Sequence, residues 1–503
     1  MKKYSNASCL LALLIAGIGS LSLHSCIKDN GNYEFAENNL VSIQWDQSIS
    51  LFVGDSLNYA PRRTFLNQAD SIHFSHAWYI NGKLHSEEPN LKFLAKEFGG
   101  FGAKYYMTDK RTGVVYTNND SPPLNVSIQS PFSLGWAVLY ADKNGNSEIA
   151  HVVYDAKKKK YMDYTGLYQQ ANGHPMGTNP FKIYPYSMRG TRAVFAVQHA
   201  GQGALDLNGL DYTRKLVASK AFTREVPDNL QPVDFANFNA ADLFVNADGS
   251  VYGRFFNGAA AFTIPWMSTP MTVEKGMKVK EIWDAWYKTS NIAIMYDYQN
   301  KRLLQADGTR FYQNGGIEIK AMPAPAIPYP GDYTPLDNFG DWEYVWGNVF
   351  IESYMNITGG MVLRSPLDRK YYFQNFDFTT LGPKLTPRRR IPLLGQEHMD
   401  DKTQFLAIKN RNYLFFSGNN GKNLYFFDVE TGAQTRLYQS FSSSITTLAL
   451  DDDTFTIAVG LEDGQVILYD INTAILNAGQ SKELHRLQDL GRVAHIMYKG
   501  YKI

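Results

Sequence analysis

The chain has 503 residues, 44% hydrophobic and 19% charged, which makes it too long for one compact domain and too apolar to be disordered throughout. Its 49 Lys and Arg against 48 Asp and Glu leave a net charge of +1, which argues against a protein dedicated to neutralising nucleic-acid phosphates. Aromatic residues reach 14% beside 40 Gly, a pairing that favours strands and tight turns over helices.

Residues 1–25 have the form of an export signal. Lys2 and Lys3 precede the apolar run CLLALLIAGIG at 9–19, a length suited to a secretory segment and short of the ~20 residues a membrane-spanning helix needs. Leu23-His24-Ser25-Cys26 resembles the bacterial lipoprotein signal, although His24 is a less usual occupant of its position. The resemblance makes Cys26 the lipidated amino terminus of the mature protein and the membrane its anchor. Cys9 leaves with the signal, so neither of the two cysteines remains for a disulfide, thiol catalysis or a zinc site. Residues 26–39 read as a lipidated tether. Within it, Ile27-Lys28-Asp29-Asn30-Gly31-Asn32-Tyr33 resembles the opening of surface and periplasmic lipoproteins of Bacteroidetes.

Residues 40–130 alternate in the manner of short strands, at 41–45, 50–53, 76–80, 104–107, 114–116 and 124–128. Turn signals separate them: Gly54-Asp55, Asn81-Gly82, Gly99-Gly100, Thr112-Gly113 and Pro122-Pro123. Asn81-Gly82 predicts a type I′ hairpin, whose two central residues both need positive φ. Six or seven strands in about ninety residues fit an immunoglobulin-like sandwich. Trp78-Tyr-Ile-Asn81-Gly82 and Gly102-Ala-Lys-Tyr-Tyr-Met-Thr-Asp109 with Thr112-Gly113 resemble the PKD-like variety of that fold. Together with the amino-terminal pattern they resemble the PKD-like lipoproteins of Bacteroidetes. That resemblance implies an outer-membrane lipoprotein encoded beside nutrient-import systems of the starch-utilisation (SusC/SusD) type.

Residues 131–503 carry strand pairs around tight turns at 142–146, 247–249, 306–308, 418–421 and 462–464. Helical periodicity is scarce, with 277–287 its best candidate. Even spacing of short strands predicts a β-propeller built from four-stranded blades. The repeat is clearest near the end. Strands at 405–408, 412–416, 423–428 and 435–438 are echoed at 445–450, 456–459, 466–470 and 484–487. Phe427-Asp428 and Tyr469-Asp470 each end a third strand, and the turns after them resemble WD-repeat or quinoprotein-type blade turns. Division by the repeat length gives seven or eight blades; two further β-sandwiches are the alternative. The expected fold class is therefore all-β, a PKD-like sandwich followed by a propeller.

No HExxH, GxSxG or P-loop occurs, so no catalytic centre announces itself. His73 and His76 are the only close histidine pair, and on a strand an offset of three places them on opposite faces. His398, Asp400 and Asp401, next to Glu397, are candidate metal or polar-ligand contacts, or a solvated loop. Residues 142–148 alternate oxygen side chains as a calcium loop does, but Gly145 stands where a hairpin needs it. Asp451-Asp452-Asp453 reads as a solvent-facing hairpin, and the runs 157–160 and 388–390 as basic loops. Trp283, Trp286, Tyr287, Trp342 and Trp346 form two dense aromatic clusters. Such rings stack on the C–H face of a sugar, and they equally fill the packing between blades.

Two functions follow. One is a lipid-anchored, non-catalytic binding protein of the cell envelope without a cofactor. Its propeller would take a glycan, a peptide or a partner such as a SusC/SusD-like transporter complex. The other is a propeller polysaccharide hydrolase or lyase, which predicts inward-facing acids with shifted pKa values. A quinone-dependent dehydrogenase is suggested only by the Asp428 and Asp470 turns.

Overall fold

The computed structural model describes residues 40–500 except 67, 118–121, 189, 239–240, 257–259, 284–291, 309–315, 354–355, 380–381 and 383. Cys26 and the rest of the signal and tether therefore lie outside the described residues, as do the candidate aromatics Trp286 and Tyr287. No described helix is long and apolar enough to cross a membrane. The chain divides into two compact units, Met1–Gln129 and Ser130–Ile503.

The first unit is a β-sandwich. Its main sheet runs Ser48–Phe52, Leu124–Gln129, Gly99–Asp109, Phe74–Ile80, Lys83–Ser86, with Val115–Tyr116 added to Gly99–Asp109. Two smaller ladders, Leu40–Gln44 with Arg62–Phe65 and Ser56–Tyr59 with Leu91–Leu94, complete it. Alternation dictates what is inside: Leu124, Val126 and Ile128 are buried while Asn125, Ser127 and Gln129 face out. Trp78 is the centre of the core, its ring 4.8 Å from that of Tyr105. The hairpin at Asn81-Gly82 has the positive φ at both residues that the sequence predicts, 48° and 80°.

Among the described residues the second unit is a β-propeller of seven sheets. Blades 2 and 4 to 7 are four-stranded meanders, beginning with the innermost strands Gly177–Met188, Val279–Ile282, Glu343–Glu352, Phe405–Ile408 and Ile445–Leu450. Among the described residues blade 3 has three strands, Pro232–Asn237, Ala241–Asn246 and Val251–Phe255. Beside its last strand, the amides of Met267 and Met271 donate to the carbonyls of Gly253 and Val251, both at 2.8 Å. Blade 1 joins the two ends of the unit: the chain's final strand, Arg492–Lys499, pairs with Gly135–Ala141 and becomes the innermost strand of that sheet.

Middle strands of a blade are covered on both faces by neighbouring blades, so they are continuously buried rather than alternating. Ile292–Asp297 and Ala241–Asn246 have every residue buried. Outer strands such as Lys160–Tyr164 and Arg214–Val217 have only exposed and half-buried residues. Turn chemistry repeats with the blades. Asp155, Asp428 and Asp470 each end a third strand and accept backbone N–H bonds from two or three residues on, at 2.8–3.1 Å. Asp142 does the same inside its hairpin, taking the amides of Asn144 and Asn146 at 2.8 Å.

Three expectations are corrected. The proposed helix at 277–287 is a strand where described, Val279–Ile282. A register shift between Val279 and Glu281 puts Val279 and Ile282 both inward, and this bulge mimics the helical spacing of three. Arg388, Arg389 and Arg390 belong to the outer strand Lys384–Pro392, where Asp377 pairs with Arg388 at 2.7 Å. Asp451 and Asp452 stand at the wall of the central channel rather than facing open solvent.

Candidate functional site: the central channel

The innermost strands of all seven blades surround a cavity of about 860 Å³. These strands run in one direction, because each four-stranded meander returns the chain to the end where it began. Residues at their starts, Glu343, Asp400, Asp401 and Arg492, therefore ring one mouth, and Lys409, Asp451 and Asp452, at their ends, ring the other.

Contacts from blade to blade define one level within the channel. His495 of blade 1 meets the Ile183 backbone of blade 2, with Nδ1 3.2 Å from the carbonyl oxygen. Lys182 of blade 2 lies 3.5 Å from Asp234 of blade 3. Asp234 also accepts the Tyr184 hydroxyl at 2.8 Å and the Ile282 amide of blade 4 at 2.7 Å. Glu281 of blade 4 accepts the Tyr344 hydroxyl and, at 3.2 Å, the Gly347 amide of blade 5. Lys280 donates to the Val345 carbonyl at 3.0 Å. Trp346 of blade 5 stacks on Phe405 of blade 6, centroids 5.6 Å apart with 26° between the planes.

Burial sets the protonation of this level. It pushes the Glu281 carboxyl above its usual range against the hydrogen bond from Tyr344. Burial, with Lys182 nearby, pulls His495 down to about 3, so its imidazole is neutral. At the far mouth burial also raises Asp451, which accepts the amides of Phe455 and Thr456 at 3.0 and 3.1 Å.

The candidate aromatics separate in the fold. Trp283 is 1% exposed and buried between blades 4 and 5; its Nε1 donates to the Tyr344 hydroxyl at 2.8 Å, and it has no face to offer a ligand. Trp342 is half-buried under the Arg390 guanidinium, 4.1 Å from its ring. Trp346 lines the channel. A register shift between Tyr344 and Trp346 sends Tyr344 into the core and Trp346 toward the cavity.

Of the metal candidates, Asp400 and Asp401 stand at the mouth. His398 instead stacks on Tyr425, 4.6 Å between centroids and 4° between planes. Among the described residues no three His, Cys, Asp or Glu side chains gather into a metal-holding group. His76 bonds Tyr105 within the sandwich at 2.6 Å. Lys182, Tyr184, Asp234, Lys280, Glu281, Tyr344, Phe405 and His495 escape sequence reasoning because they come from six separate strands. Their one local signal is a charged residue set within an apolar strand, as at Phe181-Lys182-Ile183 and Val279-Lys280-Glu281-Ile282.

Residues 26–180 match the sequence profile of the PKD-like family. The match runs past the sandwich into the first strands of the propeller. No curated protein matches the chain. Among solved structures, the chain is similar to a quinoprotein alcohol dehydrogenase-like protein from Bacteroides thetaiotaomicron. Identity is 13% and the TM-score 0.43, covering 92% of this chain and 99% of that one. Hydrazine synthase of Kuenenia stuttgartiensis is similar at 13% identity and TM-score 0.41, over 64% and 90% of the two chains. A dihydro-heme d1 dehydrogenase is similar at 14% and 0.41, over 74% and 76%.

Proposed function

We propose that this chain is a lipid-anchored, non-catalytic binding protein of the cell envelope, tethered through Cys26, whose propeller channel holds a polar ligand, a glycan or a peptide, in the service of outer-membrane nutrient uptake. The observation that carries the binding role is the channel level itself. Its polar groups are already fixed by neighbouring blades, and a stacked aromatic pair stands among them. Fixed polar groups around an apolar face orient a ligand at little entropic cost. The anchor rests on residues 1–26 and the uptake role on the PKD-like resemblance.

Affinity purification of the tagged full chain from its own outer membrane in mild detergent tests the reading. The expected result is a barrel transporter and its lipoprotein lid recovered in stoichiometric amount. Recovery of the chain alone, from membranes where known complexes survive, counts against the uptake role. Cys26→Ala is expected to move the protein from the membrane to the soluble fraction.

A polysaccharide hydrolase or lyase is favoured by one observation, the raised Glu281 carboxyl beside the Tyr344 hydroxyl. Turnover of a polysaccharide, lost in Glu281→Gln, would establish that reading in place of the first.

A further inference from the structure

Resting on the binding reading, we propose that the channel's ligand is a neutral glycan, one pyranose of which docks at the level of Trp346. Trp346 and Phe405, half-buried rings from two adjacent blades, stack on each other and both line the cavity, so a ligand meets the outer plane of a stacked ring. A pyranose offers such a plane its apolar C–H face. In a ring of seven, blade 2 stands across from blades 5 and 6, so Lys182 with its partner Asp234 faces the aromatic pair.

Charge selects the kind of sugar. Lys182 and Lys280 bring two ammonium groups to this level, and Asp234 and Glu281 two carboxyl groups. The balance leaves no net charge for a charged ligand to neutralise. A hydroxyl both donates and accepts, so an ammonium–carboxylate pair can engage one from both sides. At the mouth, neither Asp400 nor Asp401 has a cationic partner within 4 Å among the described residues. They accept hydroxyls and repel a polyanion entering past them. A peptide would bring charged groups to a level where Lys182, Lys280, Asp234 and Glu281 already match one another, and would lose their hydration there without return.

Titration calorimetry on the full chain in detergent tests this with cellotriose, maltotriose, mannotriose, trigalacturonic acid and tri-lysine. At least one neutral trisaccharide is expected to bind at least about tenfold more tightly than trigalacturonic acid or tri-lysine. Trp346→Ala should abolish that binding. Lys182→Met should weaken it about tenfold in protein whose circular dichroism matches that of the parent chain. Tighter binding of trigalacturonic acid or tri-lysine that still depends on Trp346 overturns the neutral-glycan assignment and leaves the binding role standing. Saccharide binding unaffected by both substitutions, or no binding of any probe at millimolar concentration, overturns the docking site and removes the channel's support for the binding role.

Discussion

Lys499, on the last strand of the chain, donates from Nζ to the carbonyl oxygen of Phe132 at 2.6 Å, across 367 residues of sequence. The same ammonium reaches the Gly209 carbonyl and lies 4.8 Å from the centre of the Tyr212 ring. It thus ties blade 1, where the two ends of the propeller meet, to blade 2. The side chain is 1% exposed, and burial pulls its pKa down to about 7.

A pH dependence follows from that burial. Between about pH 7 and the ordinary lysine value near 10.4, the unfolded chain holds a proton that the folded one has released, so stability rises with pH. The increase is at most about 1.4 kcal/mol per pH unit, and it is absent below pH 7, where both states are protonated. Urea denaturation at pH 7, 8 and 9 should give this slope, and Lys499→Met should flatten it.

His151 acts at the other end of the scale. Its Nδ1 lies 2.8 Å from the Tyr212 hydroxyl and its Nε2 2.7 Å from the Leu134 carbonyl oxygen, and burial, helped by Lys499, depresses it to about 3. Above pH 6.5 it is neutral in both states. As pH falls from there toward 3 only the unfolded chain protonates, and about 1.4 kcal/mol of stability is lost per unit. His151→Gln should reduce the slope of melting temperature against pH in that window; an unchanged slope would remove His151 from the account.

Arg254 is fully buried between blades 2 and 3. It donates to Asp206 at 2.6 and 3.0 Å, to Asp242 at 2.7 Å and to the Tyr186 hydroxyl at 2.8 Å, with its guanidinium 4.3 Å from the Trp266 ring. Arg254→Ala strands two buried carboxylates and should cost about 3–5 kcal/mol in chemical denaturation. A loss below about 1 kcal/mol would mean that water or rearrangement satisfies them.

Gly347 sits against Trp283. A Cβ there would lie 2.3 Å from Cζ2 of Trp283 and 2.7 Å from the Tyr344 hydroxyl oxygen. Gly347→Ala should therefore destabilise the propeller by about 1–3 kcal/mol and shift the tryptophan emission. Adding Trp283→Phe should restore part of the loss by making room.

Local chemistry carried much of the architecture. The Asn81-Gly82 hairpin, the strand-ending Asp428 and Asp470, and the eight strands of blades 6 and 7 were legible because turn geometry and period-two burial act over a few neighbouring residues. Blades 2 to 5 were obscure for a physical reason. Their middle strands are buried on both faces, which erases alternation, and bulges such as that at Val279–Glu281 break the period. Only the tertiary structure decided the rest: the count of seven, the pairing of Arg492–Lys499 with Gly135–Ala141, and the channel. Trp283 and Trp346 lie four blade-strands apart in the chain and look alike in sequence, yet one is sealed in the core and the other lines the cavity. Which way a ring points depends on strand register and on the blade packed against it, and neither is a property of the residues beside it in the chain.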